Sequence, residues 1–205
     1  MQLLTDRADA FRVGRAEFEA IRDRPLDRDR YELLDGEVLV TPSPSPVHQE
    51  IVSELTALLR PLVPPHWSVL SGPLDVELPT DDGDTVLQPD LLIAHRDRLT
   101  AKGHDGPPVL VVEVLSPTTW QRDLGVKMAA YAQAGVPHYW VVAPTTCSIT
   151  IYELGPDGAY AERHHAEGAQ RVGVTTPVEV VLSPAGLLGP VTPQGEDRSQ
   201  THRAD

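Results

Sequence analysis

The sequence has little cysteine, few aromatic residues and no long apolar run. Cys147 is its only cysteine, so an intrachain disulfide and a thiolate zinc cluster are both excluded. No His is adjacent to Cys147, which favours a plain thiol over a nucleophile. The longest apolar run, residues 109–115, is interrupted by Glu113 and is far shorter than the roughly 20 residues of a membrane span. The N-terminus lacks the layout of a secretory signal, so we expect a cytoplasmic protein without a membrane partner.

Basic residues are also scarce, since 17 Lys and Arg stand against 30 Asp and Glu, for a net charge of −13. Such a chain is unsuited to broad contact with nucleic-acid phosphates, although a cleft can be basic locally. The 205 residues, 40% of them hydrophobic, fit one domain, which we place at 12–188. Residues 189–205 have few apolar side chains and are expected to form a disordered tail.

Hydrophobic periodicity predicts alternating helices and strands along the first half of the chain. Asp35-Gly36 between two apolar runs is a strong signal for a β-hairpin over residues 31–40. Helical spacing favours a short helix at 15–24 and a longer one at 47–62. Strands are expected at 67–71, 74–78 and 86–94, the last one carrying Asp90.

The second half of the chain predicts a mixed sheet. Residues 109–115 are apolar and β-branched, as in a strand that is buried on both faces. Thr118 or Thr119 is expected to cap the helix that follows, and Gly135 to end it. A buried strand at 139–143, an edge or half-exposed strand at 149–153, a glycine-rich turn and a weak strand at 178–182 come next. This order indicates an α/β fold, a mixed β-sheet flanked by helices.

Two carboxylates lie within apolar strand sequences. A buried Glu113 would be costly unless it were paired or bound to a cation, whereas at a sheet edge it would reach solvent. Asp90 follows Pro89, which has no amide hydrogen, and this favours a bulge or a sheet edge. A plain Pro-Asp turn is the alternative for Asp90.

The helix after the Glu113 strand carries Asp123, Lys127 and Tyr131 at intervals of four, hence on one face. An exposed Asp–Lys pair is one interpretation, and a lysine that points back over Asp90 and Glu113 is the other. Two carboxylates and a main-chain carbonyl near Val114 would suit Mg²⁺ or Mn²⁺. The metal would activate a water, and Lys127 would position it, deprotonate it or stabilise the transition state.

Several short motifs occur together between residues 12 and 188. They are Tyr31-Glu-Leu-Leu-Asp-Gly-Glu, Pro-Ser-Pro-x-His48-Gln, Pro89-Asp90, Glu113-Val-Leu-Ser116, Asp123-x-x-x-Lys127-x-x-x-Tyr131 and Gly135-Val-Pro-x-Tyr139-Trp140. In combination they resemble the Uma2 family, a domain of unknown function within the PD-(D/E)XK nuclease superfamily. The resemblance implies a restriction-endonuclease-like fold and a Mg²⁺- or Mn²⁺-dependent endonuclease that hydrolyses DNA. Cleavage of both strands would need two sites, which makes a homodimer plausible.

The same resemblance implies Asp90 and Glu113 as metal ligands. Leu115 occupies the place of the usual E-x-K lysine, and Lys127 is the substitute found in this family. Glu32 is implied as a further acidic residue of the cleft, although the residues alone equally favour a solvated strand position. Ala143 departs from the family pattern, which usually has Asp there.

The remaining histidines are weaker candidates. His48 could line the cleft or be an ordinary helix imidazole, His164 and His165 are expected to be solvated, and His104 is expected in a loop. Two other functions stay open. The acidic charge favours a catalytically silent binding module with the nuclease fold, and Glu32 with Glu113 could form a glycosidase-like pair. The aromatic content of 5% offers little for a sugar cleft.

Overall fold

A computed structural model of the chain describes residues 12–22, 30–79 and 84–188. The expected tail at 189–205 lies outside the described residues. Helices and strands follow one another in this order: α1 Arg15–Arg22, β1 Arg30–Leu34, β2 Glu37–Thr41, α2 Pro46–Leu59, β3 Trp67–Ser71, β4 Asp75–Leu78, β5 Thr85–Leu87, β6 Leu91–His95, β7 Gly103–Asp105, β8 Leu110–Val114, α3 Trp120–Arg122, a π-helical segment Asp123–Lys127, α4 Met128–Gln133, β9 His138–Ala143, β10 Ser148–Leu154, β11 Tyr160–Glu167, β12 Val172–Val174, β13 Val180–Leu182 and α5 Pro184–Leu188. A 3₁₀ turn at Arg96–Arg98 follows β6. In the described part of the chain no helix is long and apolar enough to cross a membrane.

The strands form two larger sheets and one two-stranded ribbon. The six-stranded sheet has the order β11-β10-β9-β8-β6-β3, and the five-stranded sheet has the order β2-β1-β5-β4-β7. Strands β8 and β9 are parallel, as are β4 and β7, and the other pairs are antiparallel. The expected mixed sheet with flanking helices is therefore confirmed.

The two faces of the six-stranded sheet bury different clusters. Leu91 and Ile93 of β6 pack in a core with the apolar face of α2. Leu92 of β6 and Val111 of β8 point the other way, into a core shared with the five-stranded sheet and α4. Because strand side chains alternate, Glu113 shares the second face with Val111. Glu113 therefore points between the two sheets.

The single strand expected at 86–94 is wrong, because the chain changes sheets in the middle of it. Strand β5 belongs to the five-stranded sheet and β6 to the six-stranded one. Residues 88–90 make the crossing, and Pro89 suits it because no ladder hydrogen bond is required of its nitrogen. Asp90 consequently lies at a bend between the sheets rather than inside a strand.

Three local expectations differ from the structure. Strand β10 is half-exposed and the expected glycine-rich turn follows it at residues 155–158, but β11, which pairs with β10 after that turn, was not predicted. His164 and His165 are exposed, as expected, but lie on β11. His104 lies on β7, not in a loop, and is only 1% exposed. The Thr119 side chain does not cap α3, and instead the Thr119 amide donates to the Ser116 hydroxyl at 3.2 Å.

Candidate active site

Asp90 and Glu113 meet where the chain passes between the sheets. Leu91 pairs with Val112 in the antiparallel β6–β8 ladder, so the next position along each strand brings Asp90 beside Glu113. The amide of Val114 donates a hydrogen bond to Asp90 Oδ2 at 2.9 Å. Asp90 is 4% exposed and Glu113 is 1% exposed. Glu113 does not reach solvent at a sheet edge, because β8 lies between β6 and β9.

Lys127 lies at the centre of three carboxylates. Its Nζ is 2.7 Å from Glu113 Oε1, 3.0 Å from Glu32 Oε1 and 3.6 Å from Asp123 Oδ1. The side chain is 3% exposed, so the exposed Asp–Lys pair is ruled out. The lysine points at Glu113, as the second interpretation required, but its other near partner is Glu32 rather than Asp90.

A π-helical segment at Asp123–Lys127 sets the direction of the lysine. π-helical segments are rare in proteins, and those that occur often lie at functional sites. The Tyr139 hydroxyl donates to the Asp123 main-chain carbonyl at 2.8 Å and so satisfies a buried acceptor where the segment begins. Tyr131, one turn beyond Lys127, donates its hydroxyl to Glu113 Oε1 at 3.2 Å. No pattern in the sequence indicates the π segment.

Glu32 is a buried residue of the site and not the solvated strand residue that the alternative described. Besides Lys127, its Oε1 accepts the amide hydrogen of Gln88 at 2.7 Å. This bond joins β1 to the crossing at residues 88–90. Glu32 therefore contributes its charge from beneath the lysine, and it is not among the residues that line the cavity described below.

The side chains of Arg30 and His48 contact the carboxylate of Asp90. Arg30 Nη1 donates to Asp90 Oδ1 at 2.8 Å, and His48 Nε2 lies 3.0 Å from Oδ2. His48 sits in the first turn of α2, where its own amide donates to the hydroxyl of the N-cap Ser45 at 3.2 Å. Arg30 was not predicted as a site residue. The only feature of the sequence that could have indicated it is its place directly before the Tyr31 motif.

Burial and charge act on these groups in opposite directions. Burial alone would raise the pKa of Asp90, but His48, Arg30 and Lys127 outweigh it and hold that pKa below its usual value. Burial raises the pKa of Glu113, with Lys127 opposing, and it likewise raises the pKa of Asp123. Burial would lower the pKa of Lys127, but Glu113, Glu32 and Asp123 raise it overall, which keeps the ammonium charged.

The formal charges in this site do not balance. The four carboxyl groups of Glu32, Asp90, Glu113 and Asp123 face the two cations Lys127 and Arg30, so the acids outnumber the lysine and arginine by two. A divalent cation would offset that excess, and carboxylate oxygens are the ligands that Mg²⁺ and Mn²⁺ prefer.

The cluster forms the floor of a cavity of about 420 Å³, which we call the main cavity. Asp90, Glu113, Asp123 and Lys127 all border it. Its rim consists of residues 41–45, 116–119 and 144–145, which are proline, serine and threonine. Ala143, at the position where the family usually has Asp, is followed directly by the rim residue Pro144.

The donor set partly fits a metal ion. Glu113 Oε2 accepts no hydrogen bond from the described residues, and Asp90 Oδ1 accepts only the one from Arg30. Over the described ranges no three His, Cys, Asp or Glu side chains are grouped closely enough to hold an ion by themselves. An ion here would therefore need main-chain or water oxygens in addition to Asp90 and Glu113.

A family model described as "Putative restriction endonuclease", Uma2, matches residues 15–185. The chain belongs to the Uma2 family. A solved structure with the same fold is the crystal structure of a "putative nuclease belonging to DUF820" from Anabaena variabilis. It has 19% sequence identity and a TM-score of 0.65, over 83% of this chain and 96% of that one. No curated protein matches this Uma2 chain. Family and fold together indicate a nuclease.

Proposed function

We propose that this Uma2 protein is a divalent-metal-dependent endonuclease that hydrolyses DNA phosphodiester bonds. The observation that carries the proposal is the group of four buried carboxyl groups that face only Lys127 and Arg30, three of them on the floor of the main cavity. Asp90, Glu113 and the main-chain carbonyl of Val114 would hold Mg²⁺ or Mn²⁺. Buried acids without such compensation would destabilise the fold, so an ion accounts for their presence.

The ion would supply Lewis-acid stabilisation of charge on the phosphate and a more acidic bound water. Lys127 would act as a cation that stabilises developing negative charge, because its neighbours keep it protonated and so oppose a role as general base. Arg30 and His48 keep Asp90 ionised and oriented. Asp123 and Tyr131 position Lys127 and Glu113, respectively.

Calorimetric titration with MnCl₂ tests the ligand assignment. We expect Asp90→Ala to abolish binding and the exposed α2 variant Glu54→Ala to bind as the unmodified protein does. Circular dichroism must show that Asp90→Ala is folded. If that variant does not fold, Asp90→Asn, which keeps the size of the side chain, replaces it in the titration. Unchanged Mn²⁺ binding in a folded Asp90 variant would contradict the assignment.

Nuclease assays with Mg²⁺ or Mn²⁺ test the role of Lys127. We expect cleavage of DNA that is lost in Lys127→Ala and partly retained in Lys127→Arg, because the arginine keeps a cation beside Glu113. Undiminished cleavage by Lys127→Ala would disprove the role. Because double-strand cleavage needs two of these sites, the proposal includes a homodimer, which analytical ultracentrifugation would detect.

A silent binding module is the second candidate, and the pairing of the cations favours it. Within the described lining of the main cavity, Arg30 and Lys127 are the only lysine and arginine side chains, and both are bound to carboxylates. The rim residues are uncharged, so the charge of the rim favours neither a DNA-cleaving enzyme nor a binding module. DNA binding without cleavage in Mn²⁺ would support the module. The glycosidase pair is disfavoured, because Glu32 does not line the cavity.

A further inference from the structure

A second, smaller cavity adjoins the main cavity at Asp90. It has a volume of about 180 Å³, and we call it the side cavity. Both cavities are bordered by Asp90 and by residues that surround it, namely Arg30, Ser43, Pro44 and His48. Asp90 therefore stands between two compartments, with Glu113 and Lys127 in the wall of the main cavity only.

The walls that belong to the side cavity alone are Gln49, Val52, Gly72 and Pro73. None of the four is charged, so this wall suits a flat ring or a sugar better than a phosphate. The amide of Gly72 donates to the Asp90 carbonyl at 2.9 Å. A Cβ at Gly72 would lie 2.7 Å from the Pro89 carbonyl oxygen, so this close approach requires glycine.

We propose that the site takes an unpaired nucleic-acid strand that passes across Asp90, with one nucleotide in the main cavity and part of the next one in the side cavity. This inference rests on the proposed nuclease function. In hydrolysis the water oxygen bonds to phosphorus as the bond to the leaving sugar oxygen breaks, and that oxygen takes up a proton. Attacking and leaving oxygens lie on opposite sides of the phosphorus. Because an endonuclease cuts within a strand, a nucleotide is attached to each of the two ester oxygens, and the strand continues away from the scissile phosphate in two directions.

The size and depth of the cavities favour an unpaired strand over a duplex. Pockets for small ligands have volumes of about 300–1,000 Å³, and the main cavity lies near the lower end of that range. Asp90 and Glu113 are almost wholly buried beneath the rim. A phosphate must descend to reach them, and a duplex would have to unpair and unstack first, at a cost of a few kcal/mol.

The charges around the cavities predict weak salt dependence. In the described parts of both linings, Arg30 and Lys127 are the only lysine and arginine side chains. A protein that neutralises one or two phosphates of a single strand has a log–log salt slope of about −0.7 to −1.4. A duplex-binding protein with six to ten phosphate contacts has a far steeper slope.

Cleavage of matched DNA forms in Mn²⁺ tests the inference. The substrates are a single-stranded oligonucleotide, the blunt duplex of the same sequence and bis(p-nitrophenyl) phosphate. We expect the single strand to be cut at least about tenfold faster than the duplex, since 1.36 kcal/mol corresponds to a tenfold change in rate. Equal rates would overturn the inference and leave the proposed function standing. No hydrolysis of any substrate would overturn the proposed function and the inference with it.

A variant that fills the side cavity provides an independent test. Gln49 is exposed and borders only the side cavity, so Gln49→Trp should reduce oligonucleotide cleavage at least tenfold while Mn²⁺ binding stays unchanged. Glu54→Trp, also exposed on α2 but bordering neither cavity, is the matched control and should cleave at the unmodified rate. Single-strand cleavage at the unmodified rate by Gln49→Trp would overturn the two-compartment arrangement.

Discussion

Lys127→Met replaces the central cation of the site by an uncharged side chain of similar length. In the unmodified protein the ammonium group is within 3.0 Å of both Glu113 and Glu32. Removing one partner of a buried ion pair costs about 3–5 kcal/mol, because the other partner stays buried without compensation. We therefore expect Lys127→Met to lower the free energy of unfolding by about 3–5 kcal/mol at pH 8 in the presence of a chelator.

The deficit should shrink as the pH falls. Without the lysine, burial raises the pKa of Glu113 further above the value of about 4.3 that it has in the unfolded chain. Below that value both states are protonated and the charge penalty vanishes. Above it, the unfolded chain releases the proton that the folded chain retains, so stability falls by up to about 1.36 kcal/mol per pH unit for each such acid. The loss at pH 5 should accordingly be smaller than at pH 8.

Urea unfolding followed by tryptophan fluorescence measures both effects, since the chain has three tryptophans. Lys102→Met is the matched control. The Lys102 side chain is 68% exposed and its partner Glu19 is 3.4 Å away, so its loss should cost less than about 1 kcal/mol. A Lys127→Met deficit no larger than that of Lys102→Met, or one that does not change with pH, would refute the electrostatic account.

Two further predictions concern buried hydrogen bonds. His104 Nε2 accepts the His95 amide at 3.2 Å while Nδ1 donates to the Gly106 carbonyl at 3.0 Å, so the ring is neutral and burial lowers its pKa. In the unfolded chain the His104 imidazole takes up a proton near pH 6.5, whereas in the folded chain it resists protonation. Between pH 7 and pH 5 the free energy of unfolding should therefore fall more in the unmodified protein than in His104→Gln. Equal losses in the two proteins would contradict the prediction. Tyr139→Phe leaves the buried Asp123 carbonyl unpaired, which should cost about 1–3 kcal/mol of unfolding free energy and displace Lys127 enough to reduce cleavage. Unaltered stability and cleavage would show that the π segment does not depend on this bond.

The acidic residues of the site could be anticipated because their sequence contexts conflict with their charge. Glu113 lies in an apolar β-branched run, and this context predicts either a cation beside a buried carboxylate or a position at a sheet edge. The structure places Lys127 beside the buried Glu113, 2.7 Å away. The role of these residues in metal binding and catalysis stays a prediction.

Long-range pairing explains what the sequence could not provide. Arg30 and Glu32 are 60 and 56 residues before their partners Asp90 and Gln88, and no local pattern connects them. Residues 86–94 look like one strand because the change of sheet is a property of the whole fold, and only Pro89 hinted at it. Strand β11 was missed because its mostly polar, exposed sequence is typical of a protected edge.

The net charge of −13 does not by itself oppose a nuclease of this kind. At physiological ionic strength the Debye length is about 8 Å, so exposed acids elsewhere on the surface act weakly on a strand at the rim of the main cavity. Four of the acids are enclosed in the site, where Lys127, Arg30 and a divalent ion together would neutralise them. A strand would then meet a neutral floor below an uncharged rim, and its affinity should be low and should depend only weakly on salt. A steep fall in affinity with salt would instead require phosphate contacts that the described cavity linings do not offer.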